Sequence, residues 1–142
     1  MAMSGGRSIS IGAAVLLALT SCSAGPQPFQ QADVEGYVPD QSGSAGTLIF
    51  WAGSCDEEVR VTLSAAGDRI TVGAETRSAG KGNCAGTEQL TKATIRFRDQ
   101  VGVKRLLDTS GSPIDALRAG DGLLSQVGTF PELTTVDVRY EP

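Results

Sequence analysis

The stretch "EEVRVTLSAAGDRITVGAE" sets Val59, Val61 and Leu63 against Arg60 and Thr62, then Ile70 and Val72 against Thr71 and Gly73. A strict period of two sends successive side chains to opposite faces, whereas a helix would scatter both sets around its axis. Two such runs joined by "AAGD", with Gly67 in the turn, predict a β-hairpin that has one apolar face and one wet face. A sheet of that kind must bury its apolar face against a second layer, and this requirement constrains the rest of the chain.

Other segments repeat the pattern. "TLIFWAG" from Thr47 is almost continuously apolar, as in a strand covered on both faces, and Trp51, the only tryptophan, is expected in or beside the core. "KATIRFRDQ" sets Ile95 and Phe97 against Arg96 and Arg98, and "VGVKRLLD" supplies a further short strand. "TTVDVRYEP" sets Val136, Val138 and Tyr140 against Asp137 and Arg139. Ser112 to Gly120 carries the signals of one short helix: a serine N-cap, Pro113 at the first position, Asp115 in the first turn and a closing glycine. The expected fold is mainly β, a small antiparallel sandwich or open barrel with one short helix and one disulfide. The alternative is an α+β sheet with that helix on one face.

With 142 residues, 40% of them hydrophobic, the chain suits one domain. Its net charge is −4, and its basic residues are scattered. Nucleic acid is not an expected partner, because binding phosphates needs a concentrated positive face. The chain has no histidine, which removes the usual base near neutral pH, the commonest metal ligand and the Ser-His and Cys-His nucleophile pairs.

The first residues carry Arg7, and Ile9 to Leu19 form an eleven-residue apolar run, too short to span a bilayer as a mature helix. A positive start, an apolar stretch of this length and small residues after it describe a secretory signal peptide, residues 1–21. The run ends on Leu19-Thr20-Ser21-Cys22. This ending resembles the lipobox of bacterial lipoproteins, in which an aliphatic residue and two small residues precede an invariant cysteine. The resemblance implies a diacylglyceryl group on the Cys22 thiol, cleavage before it by signal peptidase II, and a cell-membrane location on the extracytoplasmic face. Two acyl chains, at roughly 0.8 kcal/mol per buried methylene, hold a protein where one chain would not. The residue after Cys22 is serine, not the aspartate associated with inner-membrane retention in two-membrane bacteria.

Residues 22–45 are rich in Gly, Pro, Ser and Gln and read as a lipidated N-terminus and flexible tether, with the β-rich domain at 46–142. A competing reading docks Tyr37 and Val38 onto the domain. With Cys22 lipidated, Cys55 and Cys84 are the remaining thiols of an exported chain, and a disulfide between them is expected. Closing a loop of roughly 30 residues would contribute about 3 to 4 kcal/mol in the chain-entropy model.

No catalytic, metal-binding or cofactor-binding set stands out. "DEE" at Asp56 to Glu58 lacks the alternate spacing and turn glycine of a calcium loop and reads as a solvated strand start. "SAGKGNCAG", with Lys81, lacks the spacing of a phosphate cradle, and "LLDTSGSP" offers Asp108, Thr109, Ser110 and Ser112 with no base beside them. The tether, the cysteine pair and runs such as "VKRLLDTSGSPI" resemble the small envelope lipoproteins of actinobacteria, most of which lack an assigned activity. The expected function is a lipid-anchored binding or assembly module for another envelope protein or a small molecule. The alternatives are a histidine-free hydrolase using carboxylates such as Asp56, Glu58, Asp108 or Asp121, and a purely structural envelope component.

Overall fold

The computed structural model describes residues 27–78, 80, 86–98 and 105–141. The expected signal peptide, Cys22 and Cys84 lie outside the described residues. Among the described residues eight strands follow in order: β1 (Gln30–Ala32), β2 (Val34–Pro39), β3 (Ala45–Gly53), β4 (Asp56–Ala66), β5 (Arg69–Ser78), β6 (Glu88–Arg96), β7 (Arg105–Leu107) and β8 (Thr135–Glu141). They form two open sheets. One has the order β1-β5-β4-β8, with β7 also paired to β5, and the other has the order β2-β3-β6. The fold is a mainly β sandwich and not a closed barrel.

The expected hairpin is β4–β5. The strands pair from Glu58↔Arg77 to Ala66↔Arg69, so Gly67 and Asp68 alone make the turn. Gly67 has φ +63° while Asp68 stays at negative φ, the pattern of a type II′ turn, whose twist matches that of the flanking strands. The inward residues Val59, Val61, Leu63, Ile70 and Val72 are buried, and the facing sheet contributes Leu48, Phe50, Ala93 and Ile95. At about 1.5 to 3 kcal/mol for each large apolar side chain removed from water, this shared interior is the main force holding the two sheets together.

Ile49 is fully buried although its neighbours Leu48 and Phe50 take the inner face. Its cover is the connection from β7 to β8, which wraps the three-stranded sheet. Ile114 bonds back to Leu106, then the Tyr37 amide donates to the Asp115 carbonyl (3.1 Å) and the Leu117 amide to the Tyr37 carbonyl (2.9 Å). The chain then crosses the outer face, where Lys92 Nζ donates to the Val127 carbonyl (3.1 Å). It leaves along the opposite edge, with the Lys92 amide donating to the Pro131 carbonyl and the Leu133 amide to the Lys92 carbonyl, both at 2.9 Å. The continuous apolar run in β3 therefore reflects two covered faces, as its sequence implies. Trp51, at the margin of that cover, is 36% exposed and not in the core.

Three further features depart from the sequence reading. Among the described residues regular structure begins at Gln30, inside the segment read as tether, because β1 pairs with β5 and β2 with β3. Tyr37 is buried and meets Phe97 edge-on at 6.3 Å, so the competing reading, in which Tyr37 docks, describes this segment. Residues 112–120 form no helix, since Asp115 and Leu117 serve as backbone partners for Tyr37; the short helix α1 lies at Gly122–Gln126, capped by Asp121. Finally, the sheets are mainly antiparallel, as expected, but two pairings are parallel, β8 with β4 and β7 with β5.

Candidate functional site

Immediately before β1, Phe29 lies between two cations. The guanidinium carbon of Arg60 is 3.9 Å from the ring centroid and that of Arg77 is 4.4 Å away. Both arginines project from the outer face of the larger sheet because their strand neighbours Val59, Val61 and Thr76 point inward. Arg77 Nε is ion-paired with Glu58, while Arg60 approaches Glu75 (3.7 Å) and Asp137 (4.0 Å). The Arg60 Nε is buried without a hydrogen-bond acceptor among the described residues. The aromatic face thus takes the place of an acceptor for part of a desolvated guanidinium. The alternation in the sequence sets Arg60 on the wet face of the hairpin but gives no sign of its partner Phe29, which stands inside the segment read as tether.

Beside this clasp is a polar cleft of about 480 Å³, lined by Gln27, Gln30, Cys55, Asp56, Thr76 and Arg77 among others. Cys55 sits where the chain passes from β3 in one sheet to β4 in the other. Asp56 closes that corner: its Oδ2 accepts from the Gly53 amide (2.8 Å) and from the buried Thr76 hydroxyl (2.7 Å). The carboxylate is engaged by two donors of the fold, as befits a bracket between the sheets.

A second cleft, of about 350 Å³, opens on the edge of β5. There β1 pairs with Ala74 to Thr76 and β7 with Arg69 to Thr71, leaving Val72 and Gly73 between them. Gln31, Asp33, Glu35, Asp108, Thr109 and Ser110 surround the gap, and Gln31 Nε2 bridges it to the Thr109 hydroxyl at 2.6 Å. The Ser110 hydroxyl holds Asp108 below the usual carboxylate range, helped by the amides of Ser112, Ser110 and Gly111.

The sequence contains this turn twice, a repeat the sequence reading missed although the letters display it: "DQSGS" at 40–44 and "DTSGS" at 108–112. In each, the aspartate accepts from the hydroxyl of the serine two residues on, that serine contacts the next one, and the intervening glycine has positive φ (71° and 87°). Asp40 is likewise held low, chiefly by Ser42. The repeat makes two self-contained turns.

The four carboxylates considered for catalysis do not converge. Asp56 closes the sheet corner, Glu58 pairs with Arg77 on the outer face, Asp108 organises its own turn and Asp121 caps α1 through the Leu123 amide. Among the described residues no carboxylate is buried, no group of acids and cysteines has the arrangement of a metal site, and no helix is long and apolar enough to cross a membrane. No protein-family model matches the chain, and no curated protein or solved structure shows significant similarity to it.

Proposed function

We propose that the chain is a lipid-anchored protein of the bacterial cell envelope, fixed to the membrane through acyl chains on Cys22, whose sandwich is a binding or assembly module on the extracytoplasmic side. The apolar run ending on Leu19-Thr20-Ser21-Cys22 supports the anchor. The observation that carries the rest is the clasp of Phe29 by Arg60 and Arg77. It fixes the start of the domain seven residues after Cys22, a contour of at most about 25 Å. On this reading the polar cleft formed by Gln27 and Gln30 with β4 and β5 stands next to the lipid surface. Anchoring confines the domain to the membrane surface and raises its local concentration there, so a weak contact with another component of that surface suffices.

A Cys55–Cys84 disulfide belongs to the same reading, since it would staple the corner that Asp56 brackets. Its test is iodoacetamide labelling of the native, unreduced protein followed by mass measurement. Labelling of both cysteines would remove the bridge from the proposal.

The anchor is tested by Cys22→Ser and by globomycin in cells fed a radiolabelled fatty acid. Loss of label, retention of the leader and release from the membrane fraction are expected. Unchanged labelling and fractionation would overturn the anchor. Cross-linking in intact cells then tests the module: a recurrent neighbour supports binding, and its absence favours a structural role.

A further inference from the structure

The edges of the two sheets are treated unequally. The free edge of β2 is capped by Asp115 and Leu117, that of β6 by Pro131 and Leu133, and that of β5 by β1 and β7. β8 is a seven-residue strand at the end of its sheet, and among the described residues nothing bonds to the backbone of its outer edge. A long, unblocked edge is a template for pairing with another strand.

The side chains along that edge match their own reversed order. Placed antiparallel to a second β8 about Val138, Asp137 of each strand faces Arg139 of the other, and Val136 faces Tyr140. The opposite charges lie on the outer face, where Asp137 and Arg139 are each more than half exposed and now bond one another within the strand at 2.9 Å. The apolar set lies on the inner face: Val136 and Val138 pack only partly against the core, and Tyr140 is 38% exposed. Pairing would exchange two intrastrand ion pairs, one in each chain, for two interstrand pairs, and it would cover the open apolar margin.

We infer that β8 is the contact strand of a two-fold homodimer, in which the larger sheets of two copies join edge to edge through antiparallel β8 strands centred on Val138. The inference stands apart from the lipid anchor. A seven-residue pairing buries less than a standard interface, so the dimer is a weak one.

The test is sedimentation of the full-length chain in a density-matched neutral detergent, from about 1 µM to about 1 mM, the window that suits a small interface. A monomer–dimer equilibrium is expected. Asp137→Arg and Arg139→Asp each place like charges opposite one another at two points and should raise the dissociation constant roughly tenfold or more. The double variant D137R/R139D restores complementarity and should return it to near the original value. Both side chains are exposed, and far-UV circular dichroism checks that each variant is folded. A monomer at every concentration, a dimer indifferent to the single reversals, or a folded double variant that fails to recover would each overturn the inference.

Discussion

The guanidinium of Arg60 lies 3.9 Å from the ring centre of Phe29, so an arginine of a central strand holds the residue that opens the domain. Phe29→Ala removes the surface shared by Arg60 and Arg77 and should cost about 1 to 2 kcal/mol. Denaturant unfolding reads the loss. Hydrogen exchange should quicken at Gln30 to Ala32 while β4 and β5 keep their protection, because the clasp secures the outermost short strand.

Ile49 faces away from the interior that the two sheets share, yet it has no exposed surface. In a two-layer sandwich an outward residue tolerates truncation. Here Ile49→Ala should cost about 2 to 5 kcal/mol, the range of a core deletion, because the wrapped connection covers it. A loss below about 0.5 kcal/mol in thermal or chemical unfolding would mean that the connection does not seal that face.

At Gly46 an added Cβ would stand 2.7 Å from Tyr37 Cε2 and 2.8 Å from the Val38 carbonyl oxygen. The carbonyl belongs to a paired strand and has no side-chain freedom with which to retreat. Gly46→Ala should therefore destabilise by about 1 to 3 kcal/mol. Gly128→Ala, which meets open space, should stay within about 0.5 kcal/mol of the parent in the same measurement.

Two groups of opposite sign should shape the pH dependence of stability. Asp40 and Asp108 are held below the ordinary carboxylate range by serine hydroxyls and turn amides. Their contribution is present above the unfolded carboxylate value, about 3.9, and is lost as pH falls through the lower folded values. Tyr37 is pushed above its ordinary value by burial and secondarily by Asp40. Its contribution is whole below pH of about 10 and is lost as pH rises through the folded value. Asp40→Asn with Asp108→Asn should flatten the acid limb of a stability–pH curve, and Tyr37→Phe should flatten the alkaline limb alone.

The period-two segments were legible because alternation survives whatever the strand order. Val59, Val61, Leu63, Ile70 and Val72 all turn inward, and the unbroken apolar run at Leu48 to Phe50 foretells cover on both sides. Composition misled at residues 30–39, where Gln, Gly and Pro suggest a coil. Ordering there is offset by ladders to β5 and β3 that lie far along the chain, and by one large side chain, Tyr37. The capping signals at Ser112 to Gly120 are real, but tertiary partners claim them first. The Ser112 amide turns to Asp108, and Asp115 and Leu117 bond to Tyr37. Parallel pairing of β8 with β4 leaves no mark in either segment, since each strand reads the same in both directions. The clasp at Phe29 needs Arg60 and Arg77 brought together by the hairpin register, which spacing alone does not reveal.

The last strand also sets when the domain is finished. β4 pairs on one side with its hairpin neighbour but waits on the other for Thr135–Glu141, at the far end of the chain and after the whole connection has been laid around the smaller sheet. Contacts so remote in sequence slow the search for the native state, and an intermediate in which β8 has not yet docked keeps the flank of the central strand unsealed. Docking of β8 is therefore the step at which a folding molecule is most exposed to off-pathway association.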